Sequence, residues 1–205
     1  MSKIEQSPER DAALVALMAA EPFPGWNLAG LRQAAGDHAD LLFLGGAVEM
    51  IEAASDLADR RMEAAAAELA MEGWRTPERV RAAIALRLKQ NRPFKIAIGR
   101  ALAVLALRGG GLLACRATAR TVDAIWRAAG DRSSDFAWYT KRATLAPIYV
   151  ATLLFWIGDK SGEDTAALEF LDQRLARAAG IGVLRRRLMP KGAWCLGRPG
   201  TSANR

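Results

Sequence analysis

Histidine and cysteine are nearly absent from this 205-residue chain, which has one histidine, His38, and two cysteines, Cys115 and Cys195. The cysteines lack CxxC spacing and the histidine has no second histidine to share a metal, so a zinc site or disulfide framework is not expected. Nothing here needs oxidation to fold, which fits a reducing compartment. Long alternations of Val, Ile and Thr are missing as well, whereas Ala, Leu and Arg abound, and this favours helices over strands. The longest apolar runs, Leu145–Ile157 and Ile96–Leu107, are too short to span a bilayer, and Arg100 interrupts the second. The N-terminus has neither the basic and apolar regions of a secretory signal nor the acid-poor composition of a transit peptide. A cytoplasmic location is the expectation. There is no nucleophile elbow, P-loop or dinucleotide fingerprint, and Glu49 and Glu52 lack the histidine partners of a di-iron bundle. We therefore expect no enzyme activity and no cofactor.

What is present is enough apolar residue to fill a substantial core: 51% of the chain is hydrophobic. The formal charge of +7 is unevenly placed. After Asp172 there is no acid but eight bases, Arg174, Arg177, Arg185, Arg186, Arg187, Lys191, Arg198 and Arg205. All the excess positive charge thus lies in a C-terminal segment, and the high isoelectric point describes that segment and not the globule.

Helix signals recur along the chain. Ser7-Pro8-Glu9 pairs a capping hydroxyl with a proline and predicts a helix to about Ala20. Asn27 caps Leu28–Ala35, Gly36 turns the chain, and Asp37 is placed to cap a second short helix ending at Gly45-Gly46. A long helix is expected from Ala47 to Glu72, one opened by Thr76-Pro77-Glu78 to Gln90, and another over Phe94–Leu107. The break Arg108–Gly111 precedes Leu113–Ala129, and the polar loop Gly130–Asp135 precedes Phe136–Ile157, where Pro147 should kink the helix beside a cavity. Ala166–Ala179 is expected to stop at Gly180, with a turn or two over Ile181–Met189 and a disordered tail over Gly197–Arg205. The expected fold is all-α, a bundle of about nine helices. It divides into helix-turn-helix-like helices (1–75), C-terminal ligand-binding and dimerisation helices (76–180) and a basic tail (181–205).

Two short helices joined by a glycine turn, near the start of an all-helical chain of this size, match the plan of TetR-type transcription factors. DNA binding, however, draws most of its affinity from neutralised phosphates. Residues 1–75 carry 13 acids against 6 bases, and the would-be recognition segment Asp37–Leu44 has no Arg, Lys, Asn or Gln to read a base edge. DNA is not the expected partner. A TetR-type regulator with a hydrophobic inducer pocket is the alternative reading.

The most specific local signal runs from Val122-Asp123-Ala124-Ile125-Trp126, through Gly130-Asp131, to Asp135-Phe136-Ala137-Trp138-Tyr139-Thr140-Lys141-Arg142, then Tyr149, Thr152, Phe155-Trp156, Asp159 and Phe170–Arg174. This pattern resembles the lipid-binding ubiquinone (coenzyme Q) biosynthesis proteins of TetR-like fold. The likeness is good over residues 57–178 and looser over 25–46. Without the family, Leu145, Tyr149, Thr152 and Trp156 recur at spacings of three and four, which gives an apolar face with polar-tipped aromatics. Such a face can pack a core or line a pocket.

The resemblance implies a non-catalytic accessory protein that holds an isoprenoid quinone precursor or phospholipid. Trp126, Leu145, Tyr149, Leu153 and Trp156 are the lipid-binding candidates. It also implies a surface patch offered to the di-iron demethoxy-ubiquinone hydroxylase, with Asp123, Ile125, Asp135, Trp138, Tyr139 and Arg142 as candidates. The residues themselves leave Asp135 as a plain helix cap paired with Arg142. A homodimer through helices 136–157 and 166–179 is implied in the same way. The mixture of Leu184, Arg185, Arg186, Arg187 and Leu188 suits contact with an anionic membrane surface, with the chain bound peripherally at a bacterial inner membrane. A solvated basic tail is the alternative, and Gly180, Gly182, Pro190 and Gly192 speak against a long helix there.

Overall fold

Ser7 accepts a hydrogen bond from the Arg10 backbone N–H and opens α1 (Pro8–Ala19), as its sequence context predicts. Asn27 does the same for α2 (Leu28–Ala35) through the N–H of Gly30 at 2.7 Å. Gly36 ends α2 at φ +101°, a conformation that only glycine adopts readily. The structure, a computed structural model, describes residues 4–107, 110–131 and 136–188. Side chains are described within these ranges to residue 178, and in the helix that begins at Phe136 only from Trp138.

The second short helix of the expected pair does not form. Residues Ala39–Leu42 make a single 3₁₀ turn, and Asp37 provides no cap. Tertiary contacts pull this segment into another shape. Phe43 is wholly buried, with the Arg10 guanidinium 4.2 Å above its ring. Arg10 also donates to the Leu42 carbonyl and pairs with Glu49 at 2.6 Å, so one buried arginine ties α1 to the turn and to the next helix.

That helix, α3 (Gly46–Ala67), stops five residues short of the expected Glu72. In α4 (Thr76–Asn91), Thr76 lies inside the helix and does not cap it; instead the Glu78 carboxylate accepts from the Arg75 backbone N–H at 2.8 Å. A 3₁₀ turn at Arg92–Phe94 leads into α5 (Lys95–Leu107). Then follow α6 (Gly111–Ala128), α7 (Phe136–Gly158) with Pro147 inside it, and α8 (Thr165–Leu188). The backbone of α8 runs through Gly180 and Gly182, so the expected stop is corrected. Each glycine costs a helix interior only about 1 kcal/mol, which a long neighbouring helix can absorb.

Eight α-helices and two 3₁₀ turns, with no strand, make up the described residues, an all-α fold close to the one expected. None of these helices is long and apolar enough to cross a membrane. α6 packs along α3, which also packs on α4, and α7 pairs with α8. Burial resolves into two apolar cores. The first joins α1, α2, the N-terminal half of α3 and α5, around Leu14, Leu17, Leu31, Phe43 and Met50. The second joins the C-terminal half of α3 with α4, α6, α7 and α8, around Met62, Ile84, Leu88, Ile125 and Trp156.

Candidate functional site

Between the two cores lies a cavity of about 130 Å³. Met18, Trp26, Ile51 and Phe94 wall it from the first core, while Arg87, Thr121, Tyr149 and Leu153 wall it from the second. Ile98, Leu102 and Leu105 of α5 and Ala114 and Ala117 of α6 complete a largely apolar lining. Small residues at 114 and 117 keep α6 from filling the space, and the Trp26 indole is held back by donating to the Ala97 carbonyl at 2.8 Å.

A buried polar cluster occupies the second-core wall. The Arg87 side chain, only 6% exposed, pairs through Nη1 with Asp59, 9% exposed, at 2.6 Å. Arg87 Nε donates to the Tyr149 hydroxyl at 2.8 Å, and Nη2 faces Thr121 at 3.3 Å and Ser55 at 3.4 Å. Thr121 in turn donates to Asp59 at 3.1 Å. Burial pushes the Asp59 carboxyl up to about 6, against the opposing pull of Arg87 and the Thr121 hydrogen bond. Burial also opposes the charge on Arg87, but Asp59 and Tyr149 raise its pKa and keep it a cation. At neutral pH the site is therefore an ion pair with its charges cancelled.

Of the five lipid-binding candidates, Tyr149 and Leu153 line this cavity and the other three do not. Leu145 is buried in the second core. Trp156 is wholly buried there too, with its indole donating to Asp164 at 2.8 Å and Lys95 Nζ 5.1 Å over its ring. Burial tends to raise the Asp164 carboxyl, but hydrogen bonds from Arg92 and Trp156 outweigh it and hold the group below its ordinary value. Trp126 sits half-buried at the edge of the second core under Lys141 Nζ, 5.4 Å from its ring.

A second cluster forms at the surface where α6 meets α7. Asp123 accepts from Arg142 at 2.5 and 2.8 Å and from Arg127 of its own helix. Arg142 also lies 3.5 Å from Asp131, and its guanidinium stacks 3.9 Å from the Trp138 ring. Trp138 meets Tyr139 edge-to-face at 4.8 Å, and Tyr139 is 67% exposed. Asp123, Trp138, Tyr139 and Arg142 thus form one patch. Ile125 is corrected: it is wholly buried in the second core and presents nothing to a partner. Asp135 lies outside the described residues. Among the described residues Arg142 pairs with Asp123 and Asp131. Leu184, Arg185, Arg186, Arg187 and Leu188 follow the α8 backbone, but their side chains lie outside the described residues, as does the segment Gly197–Arg205.

Residues 113–182 match the COQ9 family model. Rat ubiquinone biosynthesis protein COQ9, mitochondrial, is 36% identical over 108 residues, covering 53% of this chain and 35% of the rat protein. The human protein of the same name is 35% identical over 108 residues, 53% of this chain and 34% of its own. This segment is thus similar in sequence to the COQ9 family. The chain spans about a third of the length of these curated COQ9 relatives. Beyond the COQ9 segment, a solved TetR transcriptional regulator from Nitrosomonas europaea ATCC 19718 superposes with a TM-score of 0.64. It is 26% identical and covers 85% of this chain and 99% of its own. The fold is TetR-like. The surface patch lies inside the COQ9 segment, whereas the cavity lies between that segment and the helices before it.

Arg87 and Asp59 escaped the sequence reading because they sit 28 residues apart on different helices and match no motif. A signal was nevertheless present. The buried stripe of α4 runs Val80, Ala83, Ile84, Arg87, Leu88, so the arginine occupies an apolar position in the helical repeat. A charge on such a stripe implies a buried partner.

Proposed function

We propose that this chain is a non-catalytic accessory protein of ubiquinone biosynthesis that binds an isoprenoid quinone precursor or a phospholipid and presents it to a hydroxylase at the membrane. The observation that carries this reading is the largely apolar cavity between the two cores, to whose wall the COQ9-like segment contributes Ala114, Ala117, Thr121, Tyr149 and Leu153. Its volume falls below the usual range of ligand pockets, about 300 Å³ upward, so it takes only part of an isoprenoid ligand. The surface patch of Asp123, Trp138, Tyr139 and Arg142 is the docking site for the di-iron demethoxy-ubiquinone hydroxylase, because an arginine stacked on a tryptophan beside an exposed tyrosine has the character of a binding hot spot. The outward residues of α7 supply a homodimer face: Ala143, Thr144, Pro147, Leu154 and Phe155 are exposed and carry no charge, and Phe155 stacks on Phe170 of α8 at 4.7 Å. The basic residues 185–187 bring the chain to an anionic membrane surface.

Purification from a ubiquinone-producing host followed by lipid mass spectrometry tests the core of the proposal. Co-purifying isoprenoid or phospholipid is expected, and deletion of the gene is expected to change the pool of quinone intermediates. Neither result appearing sinks the reading. The dimer face fails separately if Leu154→Glu leaves the sedimentation coefficient unchanged.

The TetR-type regulator is the second reading, favoured by the extent of the superposition on a regulator. Against it stand the acidic N-terminal region and the replacement of a recognition helix by a 3₁₀ turn with Leu41 and Leu44 exposed. Salt-dependent, sequence-specific footprints in a genome-wide binding experiment would reverse this choice.

A further inference from the structure

The cavity wall holds hydrogen-bonding capacity that the protein itself does not use. The Tyr149 hydroxyl accepts from Arg87 Nε, and its own proton meets no acceptor among the described residues. Gln90, on the same wall, donates its amide to the Arg61 carbonyl at 3.1 Å, and this fixes which way the amide points. Its oxygen is then buried with no donor. Tyr149 and Gln90 thus offer an unused donor and an unused acceptor to the cavity, beside the polar side chains of Arg61, Asn91 and Thr118 on the same lining. Such groups carry the desolvation cost of burial until something pairs with them.

From this chemistry we infer that the cavity selects an aromatic ring bearing a hydroxyl, a phenol or hydroquinone, in preference to a quinone. A ring hydroxyl gives as well as accepts a hydrogen bond, so it serves both Tyr149 and Gln90. A carbonyl only accepts, and it leaves the Gln90 oxygen unpaired. The size agrees: about 130 Å³ is close to the roughly 150 Å³ of a dry apolar cavity known to hold benzene. The ring therefore enters the cavity and the rest of the ligand stays outside it. This inference rests on the lipid-binding reading above and names the head group it takes.

The test titrates the delipidated full-length protein with three probes of similar size, p-cresol, anisole and toluene, followed by calorimetry or tryptophan fluorescence. Water holds p-cresol most strongly, so a purely apolar cavity binds toluene best. We expect p-cresol to bind at least as tightly as toluene and more tightly than anisole. Tyr149→Phe and Gln90→Met should each weaken p-cresol about tenfold while moving toluene less than about twofold. Gln90→Met leaves the buried ion pair intact and so decides the matter if Tyr149→Phe unfolds. Toluene binding tightest, or both variants weakening all probes equally, overturns the inference. If no probe binds but isoprenoid lipid co-purifies, the cavity holds only water and this inference falls while the lipid-binding reading stands. If no probe binds and no lipid co-purifies, both fall.

Discussion

Two charge clusters built from the same residue types behave differently in this molecule. At the cavity, one arginine and one aspartate are sealed from water, and every nitrogen of Arg87 faces a protein oxygen. At the α6–α7 surface, one aspartate is shared by two arginines, and one of those also lies against half-buried Trp138, which meets exposed Tyr139. Desolvation makes the first cluster a structural commitment that is costly to break. In the second, Arg142 is itself mostly buried, but Asp123 and Arg127 keep contact with water, which makes their pairing cheap to break. Burial thus separates a wall of the ligand site from a docking patch.

The largest effect is expected from Arg87→Met, which strands Asp59 in the core and should cost about 3–5 kcal/mol in urea unfolding at pH 7. Adding Asp59→Leu should recover most of that loss, since a neutral pair of similar volume leaves no buried charge. If the double variant is as unstable as the single, the cluster is held by packing and the contrast collapses. A smaller effect concerns pH. The folded Asp59 carboxyl lies near 6 against an ordinary 3.8, so the folded chain binds that proton more tightly than the unfolded chain does. Its contribution to stability is full below the unfolded value and is lost as pH rises through about 6. Relative to the non-titrating Asp59→Asn variant, the parent should therefore gain about 1–3 kcal/mol as pH falls from 6.5 to 4, read as urea midpoints. A flat difference across that window would place Asp59 in contact with water. The smallest effect belongs to the surface. Asp123→Asn should change stability by less than about 1 kcal/mol, yet it should weaken hydroxylase pull-down because it frees Arg142 from its place over Trp138. A loss of stability like that of Arg87→Met would make the patch a structural element.

The local signals that the sequence carries are those that depend on a few adjacent residues. Ser7 and Asn27 cap as their spacing predicts, and the apolar register of Leu145, Tyr149 and Trp156 does face the interior. Failures occur where distant residues decide. Asp37 has the chemistry of a cap, but Arg10 and Phe43 hold the following segment in a 3₁₀ turn. Gly180 and Gly182 read as a stop, yet the α8 backbone continues to Leu188. The cavity was the least legible feature, because helices 30 to 130 residues apart each supply a part of its wall. Periodicity showed that Tyr149 and Trp156 are buried but could not show that one reaches the cavity and the other Asp164.

The helix α3 has a bearing on how the molecule comes apart. At 22 residues it is about 33 Å long, and its two halves serve different cores. Melting either core unravels a wall of the other, so the chain should lose its structure in one calorimetric transition and not in two. A ligand lodged at the seam would then raise the melting temperature of both halves together, acting as a rivet through a shared beam.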